Sequence, residues 1–198
     1  MKGWLLGSLV AVGVVSAARE AAAKPRHSGF TGDLGIGAAL TLVPHHSVSA
    51  CSSTLPGGCV APSSTSETRS EFGLAPLSLT LGGFVSPEVA LAARFAGTSY
   101  FKDDDQIGHN FYGAILEYWP IERLYVSGGI GFALFGPNPL FSSSSRELEG
   151  GWALDFRIGA ALAGGRDHDF TLSLEAIPGF YDDDIVTGFG LVGAWKWY

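Results

Sequence analysis

Six charged side chains are the residues best equipped for chemistry in this sequence. Asp33, Arg94, Glu117, Asp155, Arg157 and Glu175 each interrupt an otherwise apolar or small-residue stretch. If buried together, they must pair, because an uncompensated buried charge is very costly. Two arginines against four carboxylates leave some acids needing hydrogen bonds, water or an altered pKa. Such a cluster reads first as a salt-bridged plug, and second as a gate or proton path. Other reactive types are scattered. His45 and His46 precede Cys51 and Cys59, but the cysteines lie eight residues apart, wider than the C-x₂₋₄-C spacing of zinc sites. Two acidic triplets, Asp103-Asp104-Asp105 and Asp182-Asp183-Asp184, have the oxygen ligands a divalent cation prefers, yet they also suit solvated hairpin tips. His168 is flanked by Asp167 and Asp169, and Ser142 to Ser145 form a run of four serines that reads as flexible loop. No cofactor-binding motif is evident.

Composition narrows the setting for these residues. Of 198 residues only 16% are charged, against about 25% in an ordinary globular domain. Glycine occurs 28 times and aromatics reach 12%. So apolar and aromatic a chain is not a disordered one. A net charge of −7, from 12 basic and 19 acidic residues, excludes a basic nucleic-acid binder. Too few charges remain to cover the surface of a soluble domain.

The first residues carry an address. Lys2 precedes an apolar run from Trp4 to Val15, and Val15-Ser16-Ala17 supplies the small residues of a cleavage site. Residues 1–17 are therefore read as a signal peptide, with Ala23 the second choice of cut, and 18–28 as a short periplasmic segment. The uncharged run before Arg19 is shorter than the roughly 20 residues a membrane helix needs. Export places Cys51 and Cys59 in an oxidising compartment, where a loop disulfide is expected.

Beyond residue 28 the dominant period is two, not 3.6. Phe30, Leu34, Ile36, Leu40 and Leu42 alternate with Thr31, Asp33, Gly35, Gly37 and Thr41. The same pattern recurs in seven more segments, around 71–82, 89–98, 111–118, 124–134, 152–162, 170–177 and 189–197. The second needs a change of register near Pro76, which a bulge would provide, and Pro178 fits poorly inside the seventh. One face of each segment is bulky and apolar, while the other holds glycine, alanine, hydroxyls and the six charges. Those second faces suit a narrow, side-chain-filled lumen, so the bulky faces must look at lipid. The reading is all-β: an eight-stranded antiparallel up-and-down transmembrane β-barrel over 29–198. Connections at 43–70, 102–108, 136–150 and 182–185 are expected outside the cell. Aromatic girdles are expected from Tyr118, Trp119, Trp195, Trp197 and Tyr198 at one rim and Tyr100, Phe101, Trp152, Phe180 and Tyr181 at the other.

This pattern resembles the small eight-stranded outer-membrane barrels of Gram-negative bacteria, the OmpA/OmpX/OmpW type. The resemblance covers Gly29 to Tyr198, and its most specific part is the C-terminal Gly190-Leu191-Val192-Gly193-Ala194-Trp195-Lys196-Trp197-Tyr198. It implies recognition of the terminal aromatic by the barrel-assembly machinery, although alternation counted from Tyr198 meets Lys196. It implies outer-membrane lipid and lipopolysaccharide as surroundings, and no nucleic-acid partner. Some barrels of this type modify lipid A, but His109 is followed by Asn110 and Phe111 and lacks the serine of the deacylase pattern. The expectation is a non-enzymatic protein that displays its outer loops, with a surface ligand left open. The alternative is a small-solute channel or hydrophobic-molecule carrier of the OmpW type.

Overall fold

The computed structural model describes residues 27–48, 64–102, 105–137, 148–165, 167–182 and 184–198. Eight strands follow one another: β1 (Phe30–Val48), β2 (Ser64–Ser86), β3 (Val89–Lys102), β4 (Asp105–Ile121), β5 (Leu124–Pro137), β6 (Glu149–Gly164), β7 (His168–Phe180) and β8 (Ile185–Trp197). Each pairs antiparallel with its sequence neighbour, and β8 pairs back onto β1 to close the ring. Closure leaves no sheet edge in the wall, which hydrocarbon would not tolerate.

Alternation decides which way each side chain points. Along β6, Ala153, Asp155, Arg157, Gly159 and Ala161 are buried, while Trp152, Phe156, Ile158 and Leu162 are exposed. Ile36, Ile130 and Leu174 are about 60% exposed and form part of a continuous apolar outer surface. A surface of that kind is unstable in water and stable in lipid. Following paired residues once around the ring, from Thr31 through Gly82, Ala92, Ile115, Gly129, Asp155, Ile177 and Gly188, returns to β1 at Thr41. That stagger of ten residues fixes a strongly tilted, narrow tube, with strands about 35–45° from its axis.

The bulge expected near Pro76 is present: register shifts between Gly35 and Gly37, where Pro76 and Leu77 together stand opposite Ile36. Pro178 does not break β7, correcting the expected misfit. Pairing with β8 continues through Pro178↔Thr187, and pairing with β6 keeps one register on either side of the proline. Expected loop boundaries also need correction. The segment 43–70 is strand at both ends, because β1 and β2 pair as far as Val48↔Ser64. β3 and β4 likewise pair up to Lys102↔Asp105. Ladder hydrogen bonds need no apolar alternation, so Ser- and Thr-rich stretches continue the strands unannounced.

Candidate functional site

The six charged residues singled out above all point into the lumen and are buried there. A seventh, Lys196, joins them and corrects the count to three cations and four carboxylates. Two clusters form. In the first, Arg157 meets Asp33 at 3.0 Å and Glu117 at 2.7 Å, and the Lys196 ammonium meets the same two carboxylates at 3.3 and 2.9 Å. The Trp119 indole N–H donates to Glu117 at 2.8 Å, and Arg157 and Lys196 lie 4.9 and 5.0 Å from the Tyr125 ring centre. In the second, Arg94 lies 2.6 Å from both Asp155 and Glu175, and donates to Thr80 at 3.1 Å. Ser173 also donates to Glu175. A 4.0 Å approach of Arg157 to Glu175 links the clusters. With Thr80 from β2 and Ser127 from β5, every strand of the barrel contributes a group.

Ionic pairing is only part of the filling. Toward the N- and C-terminal end the lumen is stopped by rings: His27 stacks 4.4 Å from Tyr198 and 5.0 Å from Phe84, and Trp119 packs on Tyr125 at 4.9 Å. Gly159 is required beneath Tyr125, because a Cβ there would strike the phenol ring. Toward the loop end Phe111, Ile115, Ile177, Val186 and Tyr181 form an apolar layer. Phe111 leans across Gly113 and Gly131, where the wall has no side chains to obstruct it.

This filling corrects the expected girdles. Trp119, Tyr100 and Tyr181 are lumen residues, and Tyr198 turns inward onto His27. Tyr118, Trp195, Phe101 and Trp152 do face outward, with Phe180 stacked 4.1 Å from Trp152.

Strand tilt, closure and an apolar exterior around a lumen filled by ion pairs at one end and apolar side chains at the other together decide the architecture. The fold is that of the small outer-membrane β-barrels. The chain is similar to Neisserial surface protein A at 13% identity, over 86% of this chain and 97% of that one, with a TM-score of 0.56. It is also similar to Ail of Yersinia pestis (15%, 85% and 99%, 0.48) and to the outer-membrane protein OprG of Pseudomonas aeruginosa (15%, 88% and 99%, 0.46). No protein-family model matches the chain. No curated protein matches it in sequence.

Among the described residues the buried histidine and the rim histidine do not assemble catalytic pairs. His109 is buried between Thr98, Gly179 and Tyr181, and neither ring nitrogen has a hydrogen-bond partner. His168 stacks on Trp195 at 4.7 Å, at the end of the barrel opposite the long hairpins. Cys51, Cys59 and Ser142 to Ser145 lie outside the described residues, as do Asp103, Asp104 and Asp183 of the acidic triplets. Among the described residues no cluster has a metal-binding donor set.

The signal for Lys196 is present in the sequence. Counting back by twos from Trp197 assigns Trp195 and Gly193 to lipid and Lys196 to the lumen.

Proposed function

We propose that this chain is an integral outer-membrane protein without enzymatic activity, whose sealed barrel holds the β1–β2 hairpin outward as a contact surface. In this reading residues 1–17 are a cleaved signal peptide, 18–28 remain periplasmic and 29–198 insert through the barrel-assembly machinery. Outer-membrane lipid and lipopolysaccharide surround the wall. The carrying observation is the contrast between wall and hairpin. β1 pairs with β8 only up to Leu42↔Thr187, and β2 with β3 only up to Leu74↔Ser99, yet β1 and β2 pair with each other to Val48↔Ser64. Among the described residues a two-stranded ribbon therefore extends beyond the strands paired on either side of it.

The packed lumen supports display over passage. Eight strands leave room for little more than side chains, and ion pairs, rings and apolar residues fill this one in layers. A planar bilayer containing the protein is expected to show no discrete conductance, and steps sensitive to Arg94→Ala or Glu117→Ala would revive the channel reading.

Topology is tested in intact cells, with both native cysteines replaced by serine. A membrane-impermeant maleimide should label Thr68→Cys on the ribbon before lysis and Glu122→Cys only after it. The folded protein should also migrate differently on gels when unboiled. The opposite labelling, or recovery from the soluble fraction without a gel shift, would overturn the proposal.

A further inference from the structure

Among the described residues the ribbon has two unpaired edges, and they are chemically unequal. On the β1 side stands Pro44, which has no N–H to offer an incoming strand. The β2 side, through Glu67, Thr68, Arg69 and Ser70, contains no proline and is exposed. Among the described residues no strand pairs with that edge above Leu74. Pro44 lies opposite Thr68. Lacking an N–H, Pro44 suits the position where the two residues exchange no hydrogen bonds, and this directs the N–H and C=O of Thr68 to the free edge. Ser66 and Ser70, two residues to either side, share that backbone direction.

We infer that this edge docks a second copy of the same chain carried in an apposed membrane, a choice of partner that rests on the display reading. Antiparallel pairing of the edge with itself, centred on Thr68, lets the two Thr68 residues exchange both backbone hydrogen bonds and sets Ser66 opposite Ser70. The same register brings Glu67 of each copy against Arg69 of the other, in the closer, non-hydrogen-bonded pairs where side chains interact best. The edge is thus complementary to itself in charge as well as in backbone. Parallel pairing in register would instead align Glu67 with Glu67 and Arg69 with Arg69, which is unfavourable.

Direction follows from symmetry. Two antiparallel copies are related by a two-fold axis perpendicular to the shared sheet. A ribbon strand climbing away from its own membrane therefore meets a partner strand running down toward the opposite one. Two barrels in the same membrane, both pointing outward, cannot present their edges in that sense. The contact joins surfaces, and many weak copies acting together would hold them.

The test uses the purified full chain in phosphatidylcholine vesicles, with vesicle clustering followed by light scattering and two-colour colocalisation. Wild-type vesicles should cluster. Glu67→Arg and Arg69→Glu vesicles should each lose clustering, because every cross-pair becomes like-charged. Mixing those two populations should restore it, since the two arginines of one variant then face the two glutamates of the other in both cross-pairs. The double variant should cluster with itself and not with wild type. All variants should keep the heat-dependent gel shift of the folded barrel. Clustering indifferent to these charges would overturn the inference. So would absence of wild-type clustering when the Thr68→Cys label shows the ribbon outward, and in that case the display reading would survive. A ribbon inaccessible on intact cells would instead remove the display reading itself.

Discussion

The two halves of the lumen fill the same narrow tube by opposite means. Near the termini, seven charged groups form a network in which each cation contacts two carboxylates or more. Near the loops, Phe111, Ile115, Ile177 and Val186 pack as an apolar core in which His109 is a polar outlier. One half offsets the desolvation of charges by pairing, and the other buries no charge, only a few neutral polar groups such as the Thr41–Thr98 hydroxyl pair and His109. A barrel interior, then, need not be uniformly polar. What it must be is full. Packing supplies fullness in one half, and hydrogen-bond geometry supplies it in the other.

Breaking the ionic half should have the largest effect. Arg157→Ala leaves Asp33 and Glu117 with Lys196 as their one remaining cation, and should lower stability by about 3–5 kcal/mol in urea titrations of the vesicle-embedded protein. In the apolar half Phe111→Ala opens a cavity over Gly113 and Gly131, at a cost of about 3 kcal/mol by the same titration. His109→Leu should have the opposite sign and stabilise by about 1 kcal/mol, because it removes two buried nitrogens without partners. An equal loss on replacing His109 would mean that the loop half also depends on polar contacts, and would erase the contrast.

The smallest effect concerns the cap below the network. Burial, with the Lys196 charge nearby, holds the His27 imidazole below its ordinary pKa of 6.5, against a weaker opposing pull from Glu117. A histidine that resists protonation when folded binds more protons when released. Its contribution is therefore present above pH 6.5 and is lost as the pH falls from there toward the folded-state value. Trp119 lies 4.8 Å from His27, so its fluorescence should change on mild acidification, and His27→Gln should remove that change.

Much of this arrangement is legible in the sequence, because a period of two assigns every residue of a strand once one is placed. Asp155 and Arg157 between Leu154, Phe156 and Ile158 can point only inward. The same parity rule places Trp119 with Glu117, Tyr181 with Glu175 and Tyr100 with Arg94. Weighing height along the barrel above facing sends these aromatics to the rims instead, which is the error the structure corrects. Lys196 escapes notice when the C-terminal segment is taken as an assembly signal and not as a strand with two faces. Pairing partners are a different matter. That Asp33 meets Arg157 across 124 positions depends on the stagger of the closed ring, which no local pattern encodes. The reach of the ribbon is hidden too, because Val43-Pro44-His45-His46-Ser47-Val48 shows no alternation for lipid to impose.

Asp33 on the first strand and Lys196 on the last are direct neighbours across the closing seam. The cluster of Asp33, Glu117, Arg157 and Lys196 is therefore incomplete without that seam, whereas the Arg94 cluster draws only on inner strands. An open sheet of seven strands would lack Lys196, and would leave Asp33 at a free edge instead of across the lumen from Arg157. Closure is thus the step at which Asp33 and Glu117 gain their second cation, so the meeting of the first and last strands completes the ionic filling as well as the sheet.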